Sequence, residues 1–269
     1  MKLSMYTSVR NGIYFDFHIV EMLRHHVDLF DEIVVNEGYS TDETYERIKD
    51  LSPKIRIARN RWDTTQPAAW HRTFGDQARK MCTGDWCVKL DCDEFLPPWE
   101  MERLHKLIAT TTRTVLPMRF LNFYANYKVY NPVTTPHWKY VIHRNVPDAH
   151  VVGDGSNVEV DSDPWLGDEV PEDAILCHHY GAVRYAARLR QKWRNDSAMK
   201  RRKPTYDWVP GFIYDLLPHG WFDQDFLPSL RIYEGPFVGE VERNPGEFTR
   251  DNMKVYEYLK KQQQQPQRA

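Results

Sequence analysis

The sequence predicts an α/β fold with a mainly parallel central sheet and an elaborated C-terminal part. Three observations predict it. Strand-like and helix-like apolar patterns alternate over roughly the first hundred residues. The run Val88-Lys89-Leu90-Asp91-Cys92-Asp93-Glu94-Phe95 carries an apolar strand straight into an Asp-x-Asp pair. Polar loops follow several of the apolar strands, and ligands bind at the carboxyl edge of such sheets.

The elements follow in order. Residues 3–9 read as a first strand, ended by Arg10-Asn11-Gly12. Phe15, Ile19, Met22, Leu23 and His26 recur at helical spacing. Residues 30–35 give a second strand, and 36–42 a polar loop in which Thr41 or Asp42 caps a helix over 43–51. Residues 54–58 make a third strand, and Trp70, Phe74, Ala78 and Met81 mark a helix. The fourth strand runs to Asp91, and Pro97-Pro98 ends it. If the chain stays extended there, alternation puts Asp91 and Asp93 on one side. Past Pro98 the reading is a helix over 101–109 and strands within 115–130 and 138–144. An acidic loop over 154–173 and a short strand over 175–179 follow, then a basic helix over 183–203. The irregular segment 206–236, a helix over 252–261 and a disordered, low-complexity tail over 262–269 complete it. The expected organisation is a ligand-binding α/β half at 1–98, a second half of the same domain at 99–250, and a terminal helix and tail at 251–269.

Bulk properties limit the choices. A length of 269 residues with 41% hydrophobic content suits one large α/β domain with a sizeable core. The net charge of −2 points to neither nucleic acid nor membrane. Four cysteines without a Cys-x-x-Cys pair suggest reduced thiols and a cytoplasmic setting. The N-terminus lacks a signal-peptide core, and no apolar run approaches the length of a membrane span.

Asp91 and Asp93 are two hard oxygen ligands that repel each other unless a cation lies between them. Mg²⁺ or Mn²⁺ suits that chemistry. The plainer reading is an acidic surface turn, so the motif needs company. That company is Asn36-Glu37-Gly38-Tyr39-Ser40-Thr41-Asp42 after the second strand, Ala69-Trp70-His71-Arg72-Thr73-Phe74-Gly75 on a helix, and Cys177-His178-His179-Tyr180-Gly181 downstream. In this order the chain resembles a GT-A glycosyltransferase, similar to glycosyltransferase family 2. The likeness is close over residues 3–98 and looser over 99–185. Asn36-Glu37 stands where an acidic pair is usual, Tyr39 is an insertion, and Thr73 replaces the usual Asn. These departures bear on the nucleobase more than on the fold.

The resemblance implies a Rossmann-like nucleotide-diphospho-sugar transferase. It would be metal-dependent and inverting, moving a sugar from a nucleotide-sugar donor to a glycan or glycolipid acceptor. It implies that Asp93 is the surer ligand of Mn²⁺ or Mg²⁺, with Asp91 also near the donor ribose. A downstream histidine would complete the shell: His179 is favoured, with His178 beside it, and the alternative is two ordinary strand-end histidines. Glu37 and Asp42 would edge the base and ribose pocket, Arg72 would aim at the base or diphosphate, and Ser8 and Arg10 would line the same crevice. Inversion needs a general base. Among Asp154, Glu159, Asp173, Asp223 and Asp225, Asp154 is favoured because its flanking glycines allow close approach. A plain turn aspartate is the competing reading.

The basic run 184–203 reads first as a solvated helix face. Its functional reading is attraction to an anionic acceptor, to the donor diphosphate through Arg184, or to phospholipid. The last would place the protein peripherally at the inner membrane face. Trp138, Trp165, Trp208 and Trp221 are candidate stacking faces for an acceptor sugar. The competing functions are a sugar-nucleotide nucleotidyltransferase and a non-catalytic sugar-binding protein. The short Arg10-Asn11-Gly12 loop weighs against the first and the retained acidic pair against the second. A dehalogenase-type phosphatase would carry its Asp-x-Asp on the first strand. A zinc site at Cys177 and His178 lacks spaced ligand pairs.

Overall fold

The computed structural model describes residues 1–62, 70–132, 137–153, 155–164, 174–184, 188, 229–239 and 256–263. The first half is a regular alternation of strand and helix. It comprises β1 (Leu3–Val9), α1 (Ile19–His26), β2 (Glu32–Glu37), α2 (Thr44–Ile48), β3 (Ile55–Arg59), α3 (Trp70–Arg79) and β4 (Trp86–Lys89). β1 and β2 are buried on both faces almost throughout, which explains their near-continuous apolar texture. In α1, Ile19, Met22 and Leu23 fall on one stripe and are wholly buried, about 2 kcal/mol each.

These strands pair in parallel in the order β3-β2-β1-β4. Beyond β4 the sheet continues through β8 (His137–Arg144) and β6 (Val115–Tyr124) to β7 (Val129–Tyr130) and β12 (Arg231–Ile232). β8 is antiparallel to both β4 and β6, so β6 runs with β4. β11 (Ile175–Ala182) lies parallel on β6, and β5 (Glu94–Phe95) pairs antiparallel with β11. The ten-stranded sheet is therefore mostly parallel.

Two cores sandwich it. α1, α2 and α4 (Met101–Thr110) cover one face through Met22, Leu23, Ile48, Leu104 and Ile108. α3 covers the other with a hairpin of β9 (Ala149–Val152) and β10 (Asn157–Val160). β10 lies inside the stretch expected to be a loop. Its Val158 and Val160 alternate inward, a short pattern masked by the acids around it.

Three further expectations shift. β2 continues through Asn36 and Glu37, because both are buried polar residues with partners rather than the start of a loop. β11 runs three residues beyond 179, and helix 256–263 extends into the expected tail. All four cysteines are free and buried. No helix among the described residues is long and apolar enough to cross a membrane. Most of the basic segment 183–203, residues 206–228, and the tail beyond 263 lie outside the described residues.

Candidate functional site

The carboxyl ends of β1, β2 and β4 meet at one edge. Cys92 joins two of them: its thiol faces the Ser8 carbonyl at 3.4 Å and the Thr7 hydroxyl at 3.8 Å. After β4 the chain does not stay extended. Residues 91–94 form a tight turn in which Glu94 N–H donates to the Asp91 carbonyl (3.1 Å) and Asp91 N–H donates to the Glu94 carboxylate (2.8 Å). The expected placement of Asp91 and Asp93 by strand alternation is thereby corrected. A turn sets their directions, and each meets its own partners.

Asp91 is half-exposed and lies between two ammonium groups, Lys89 at 2.7 Å and Lys139 at 3.1 Å. Partial burial opposes its ionisation, but Lys139 and Lys89 more than reverse this and hold the carboxyl well below the usual range. Lys139, projecting from β8, also pairs with buried Glu94. Burial pushes the Glu94 carboxyl up to about 6, against the pull of Lys139.

Asp93 is buried. One carboxylate oxygen pairs with the Arg184 guanidinium, and the other faces His179 Nε2 at 3.7 Å. Its carbonyl accepts from Tyr180 N–H at 2.7 Å. Arg184 is also buried, donates to the carbonyls of Gly181 (2.8 Å) and Phe15 (3.0 Å), and stacks its guanidinium 4.4 Å from the Phe17 ring centroid. Its expected place at the donor diphosphate is corrected: it anchors Asp93 from inside.

His178 and His179 sit on opposite faces of β11, as alternation requires. His179 is part-exposed and faces Asp93. His178 is buried, with its ring nitrogens at 3.2 Å and 3.3 Å from the hydroxyls of Tyr180 and Tyr233. Burial lowers its pKa to about 4. Its expected role as a metal ligand is corrected to a core histidine.

Glu37 and Asp42 are likewise turned to structure. Glu37, wholly buried at the end of β2, accepts from the N–H groups of Ser40 (2.6 Å) and Tyr39 (3.2 Å) and pairs with Arg59 at 2.7 Å. Arg59 is itself sandwiched between the Tyr39 and Tyr45 rings at 4.4 Å and 4.1 Å. Asp42 accepts from the N–H groups of Tyr14 (2.7 Å) and Thr44 (2.9 Å), lacing two loops together just before α2, whose N-cap is Glu43 rather than the expected Thr41 or Asp42. Neither carboxylate is left open as a base or ribose acceptor in the way expected.

Ser8 and Arg10 behave differently. Ser8 Oγ and Arg10 Nε are buried and have no hydrogen-bond partner among the described residues. Buried polar atoms are almost always paired, so two unpartnered atoms at one strand end stand out. Arg72 is exposed in the first turn of α3. Asp154 lies outside the described residues. Its neighbours Gly153 and Gly155 have φ of 64° and 91°, and a Cβ on Gly155 would lie 2.6 Å from His71 Cβ, so Gly155 packs closely on the first turn of α3. Trp138 is 42% exposed, whereas Trp165, Trp208 and Trp221 lie outside the described residues.

Sequence reasoning missed Lys89, Lys139, Glu94 and Asn122. Lys139 stood in a recognised strand, and only the pairing of β8 with β4 brings it to Asp91. Asn122 of β6 accepts from His179 Nδ1–H at 2.7 Å and donates to His137 Nδ1 at 2.7 Å. Among the described residues no three His, Cys, Asp or Glu side chains converge on one point. Asp93 and His179 form a facing pair of an oxygen and a nitrogen donor. Their 3.7 Å gap is within the reach of two metal–ligand bonds of about 2.1 Å each, so the pair fits a divalent cation.

No curated protein matches the sequence. Among solved structures, S. aureus TarS 1-349 is 16% identical, with a TM-score of 0.38, over 54% of this chain and 47% of that one. The chain thus spans about half the length of that relative. The same protein in complex with UDP aligns over 79% of this chain and 74% of that one, with 15% identity and a TM-score of 0.41. Mannosyltransferase PcManGT from Pyrobaculum calidifontis, in complex with GDP-Man and Mn²⁺, is 18% identical with a TM-score of 0.35, over 45% of this chain and 35% of that one. The family model for glycosyl transferase family 2 matches residues 19–155, just over half of the chain. With its mostly parallel α/β sheet, the protein belongs to glycosyl transferase family 2.

Proposed function

We propose that the protein is a metal-dependent, inverting glycosyltransferase that moves a sugar from a nucleotide-sugar donor to a glycan or glycolipid acceptor. The observation that carries this reading is the facing pair of Asp93 and His179 at the carboxyl edge of the sheet. Asp93 and His179 would hold Mn²⁺ or Mg²⁺, which supplies Lewis-acid stabilisation of the departing diphosphate.

The remaining residues act as binders and positioners. The carboxylates Asp91, Asp93 and Glu94 are matched by Lys89, Lys139 and Arg184, so the apo site closes its own charge. A divalent cation and a diphosphate of about two negative charges then enter as a near-neutral pair, and each favours the other. Ser8 Oγ and Arg10 Nε, unpartnered at the end of β1, supply hydrogen bonds to the donor, and Arg72 supplies charge at the first turn of α3. The acceptor hydroxyl oxygen attacks the anomeric carbon as the bond to the diphosphate oxygen breaks. The hydroxyl proton passes to a carboxylate, which we assign to Asp154 in the glycine-flanked hairpin tip. The basic segment 184–203 would draw in an anionic or lipid-linked acceptor from the inner membrane face.

Calorimetric titration with UDP, GDP, ADP and dTDP and their sugar conjugates, each with Mn²⁺, Mg²⁺ or EDTA, tests the reading. Binding to the native state also raises stability by about 2.7 kcal/mol at 100 times Kd. Metal-dependent binding of one nucleotide family is expected. A folded protein that binds none of them would overturn the assignment.

A further inference from the structure

We propose that Asn122 is a positioning residue that fixes the tautomer of His179, so that the Nε2 lone pair of His179 is presented beside Asp93. This rests on the metal site proposed above. Asn122 and His179 are register partners on the parallel strands β6 and β11, so their side chains emerge side by side. Asn122 is buried, its Oδ1 lies 2.7 Å from His179 Nδ1, and its Nδ2 lies 2.7 Å from His137 Nδ1. A carboxamide oxygen only accepts, so the hydrogen of His179 must reside on Nδ1. In the neutral ring the other nitrogen is then a lone pair, and it faces a carboxylate oxygen at 3.7 Å. Two acceptors held face to face repel unless a cation joins them.

His137 completes the relay. Its Nδ1 accepts from Asn122 Nδ2, and its ring is stacked on Phe120 at 5.1 Å and 22°. That stack holds the ring against which the amide nitrogen rests. The arrangement is the carboxamide counterpart of the carboxylate–histidine–metal triads that orient ligating imidazoles. The chemistry selected is a divalent cation that takes one imidazole nitrogen and one carboxylate oxygen, with phosphate oxygens on its open side.

The test has two readouts, neither of which is turnover. Mn²⁺ binding to the full chain, alone and with UDP or GDP, is followed by electron paramagnetic resonance in Asn122→Leu, Asn122→Asp and His179→Ala. Asn122→Leu keeps the volume but removes the acceptor, and roughly 10–100-fold weaker Mn²⁺ binding is expected. Asn122→Asp keeps the acceptor and should bind within a few-fold of the wild type. His179→Ala should lose at least as much as the leucine variant. Undiminished affinity in Asn122→Leu beside a loss in His179→Ala overturns this inference alone. Undiminished affinity in both overturns the metal reading beneath it. A large gain in Asn122→Asp would mean that the native amide has the opposite sense, and also overturns the inference. Two-bond ¹H–¹⁵N spectra of the metal-free protein read the tautomer directly. Nδ1–H on His179 is expected in the wild type and a mixture in Asn122→Leu, whereas Nε2–H in the wild type refutes the proposal.

Discussion

Arg184 reaches 91 residues back along the chain to pair with Asp93, and both side chains are buried. With its other donors on the Phe15 and Gly181 carbonyls, the guanidinium ties the loop before α1, the end of β11 and the turn after β4 into one unit. Breaking a buried pair from one side is costly because the remaining charge is left unmatched, by about 3–5 kcal/mol. Arg184→Met should lose that much in urea unfolding, and Arg184→Lys should recover only part, since an ammonium cannot reproduce the fork. Mn²⁺ should raise the midpoint of Arg184→Met more than that of the wild type, because a cation can take over the charge of the guanidinium. An unfolding free energy within about 1 kcal/mol of the wild type would mean that Asp93 is held in place by other contacts.

Glu37 offers a second test, of structure against binding. Its carboxylate closes the turn through the N–H groups of Tyr39 and Ser40 and holds Arg59 between two tyrosine rings. Glu37→Gln removes the charge and keeps the shape. Stability should fall by about 1–3 kcal/mol, while nucleotide affinity, measured by calorimetry below the melting range, stays within a few-fold of the wild type. A selective loss of nucleotide affinity with unchanged stability would restore Glu37 to the base pocket.

The same residue explains where sequence reading stopped. β1 and the strand to Leu90 were legible because apolar runs bounded by Gly, Pro and Asn report a two-sided sheet locally. Glu37 was not, because a buried acid looks like a loop residue until Arg59, on the neighbouring strand, is placed beside it. Asp91 and Asp93 were recognised as a pair, but their directions depend on β5, two residues whose strand character comes wholly from pairing with β11. Lys139 and Asn122 reach the site only through the β8 and β6 pairings, which no local pattern encodes. The separation of His178 from His179 was legible in principle. Once both lie on one strand, alternation alone puts them on opposite faces.

The buried histidines set the acid limit of the fold. His143 Nδ1–H donates to the Arg144 carbonyl at 2.9 Å, and its Nε2 accepts from the Tyr6 hydroxyl at 3.1 Å, so the ring is satisfied only when neutral. Burial lowers its pKa from 6.5 to about 4. His26, which links the Met22 carbonyl to Leu96 N–H, is lowered in the same way by burial and by neighbouring His25. Above pH 6.5 neither the folded nor the unfolded chain protonates His143, and it contributes no pH dependence. As the pH falls from 6.5 towards 4, the unfolded chain takes up a proton that the folded chain refuses. Stability is then lost, by on the order of 3 kcal/mol for this group, and the loss levels off below the folded value. Melting temperatures between pH 7.5 and 4.5 should therefore drop, and His143→Gln, which can donate and accept at once, should flatten part of that slope. An unchanged slope in the variant would assign the acid limit to other groups.

Ser8 and Arg10 invert the usual relation between burial and stability. Their buried Oγ and Nε have no partner among the described residues, so the fold bears the desolvation of both without compensation from them. Removing such an atom relieves a cost. Ser8→Ala should be neutral or stabilising by up to about 1 kcal/mol in the metal-free, nucleotide-free protein. If the donor supplies the missing partners, the same change should weaken nucleotide binding roughly 5–10-fold, the worth of one net hydrogen bond. Arg10→Met, which keeps the stem and removes the charge-assisted donor, should weaken binding further, again without loss of stability. The opposite signs separate a binding role from a structural one. A Ser8→Ala protein that is less stable, yet binds nucleotide as the wild type does, would show that the hydroxyl serves the fold and that the donor lies elsewhere along the sheet edge.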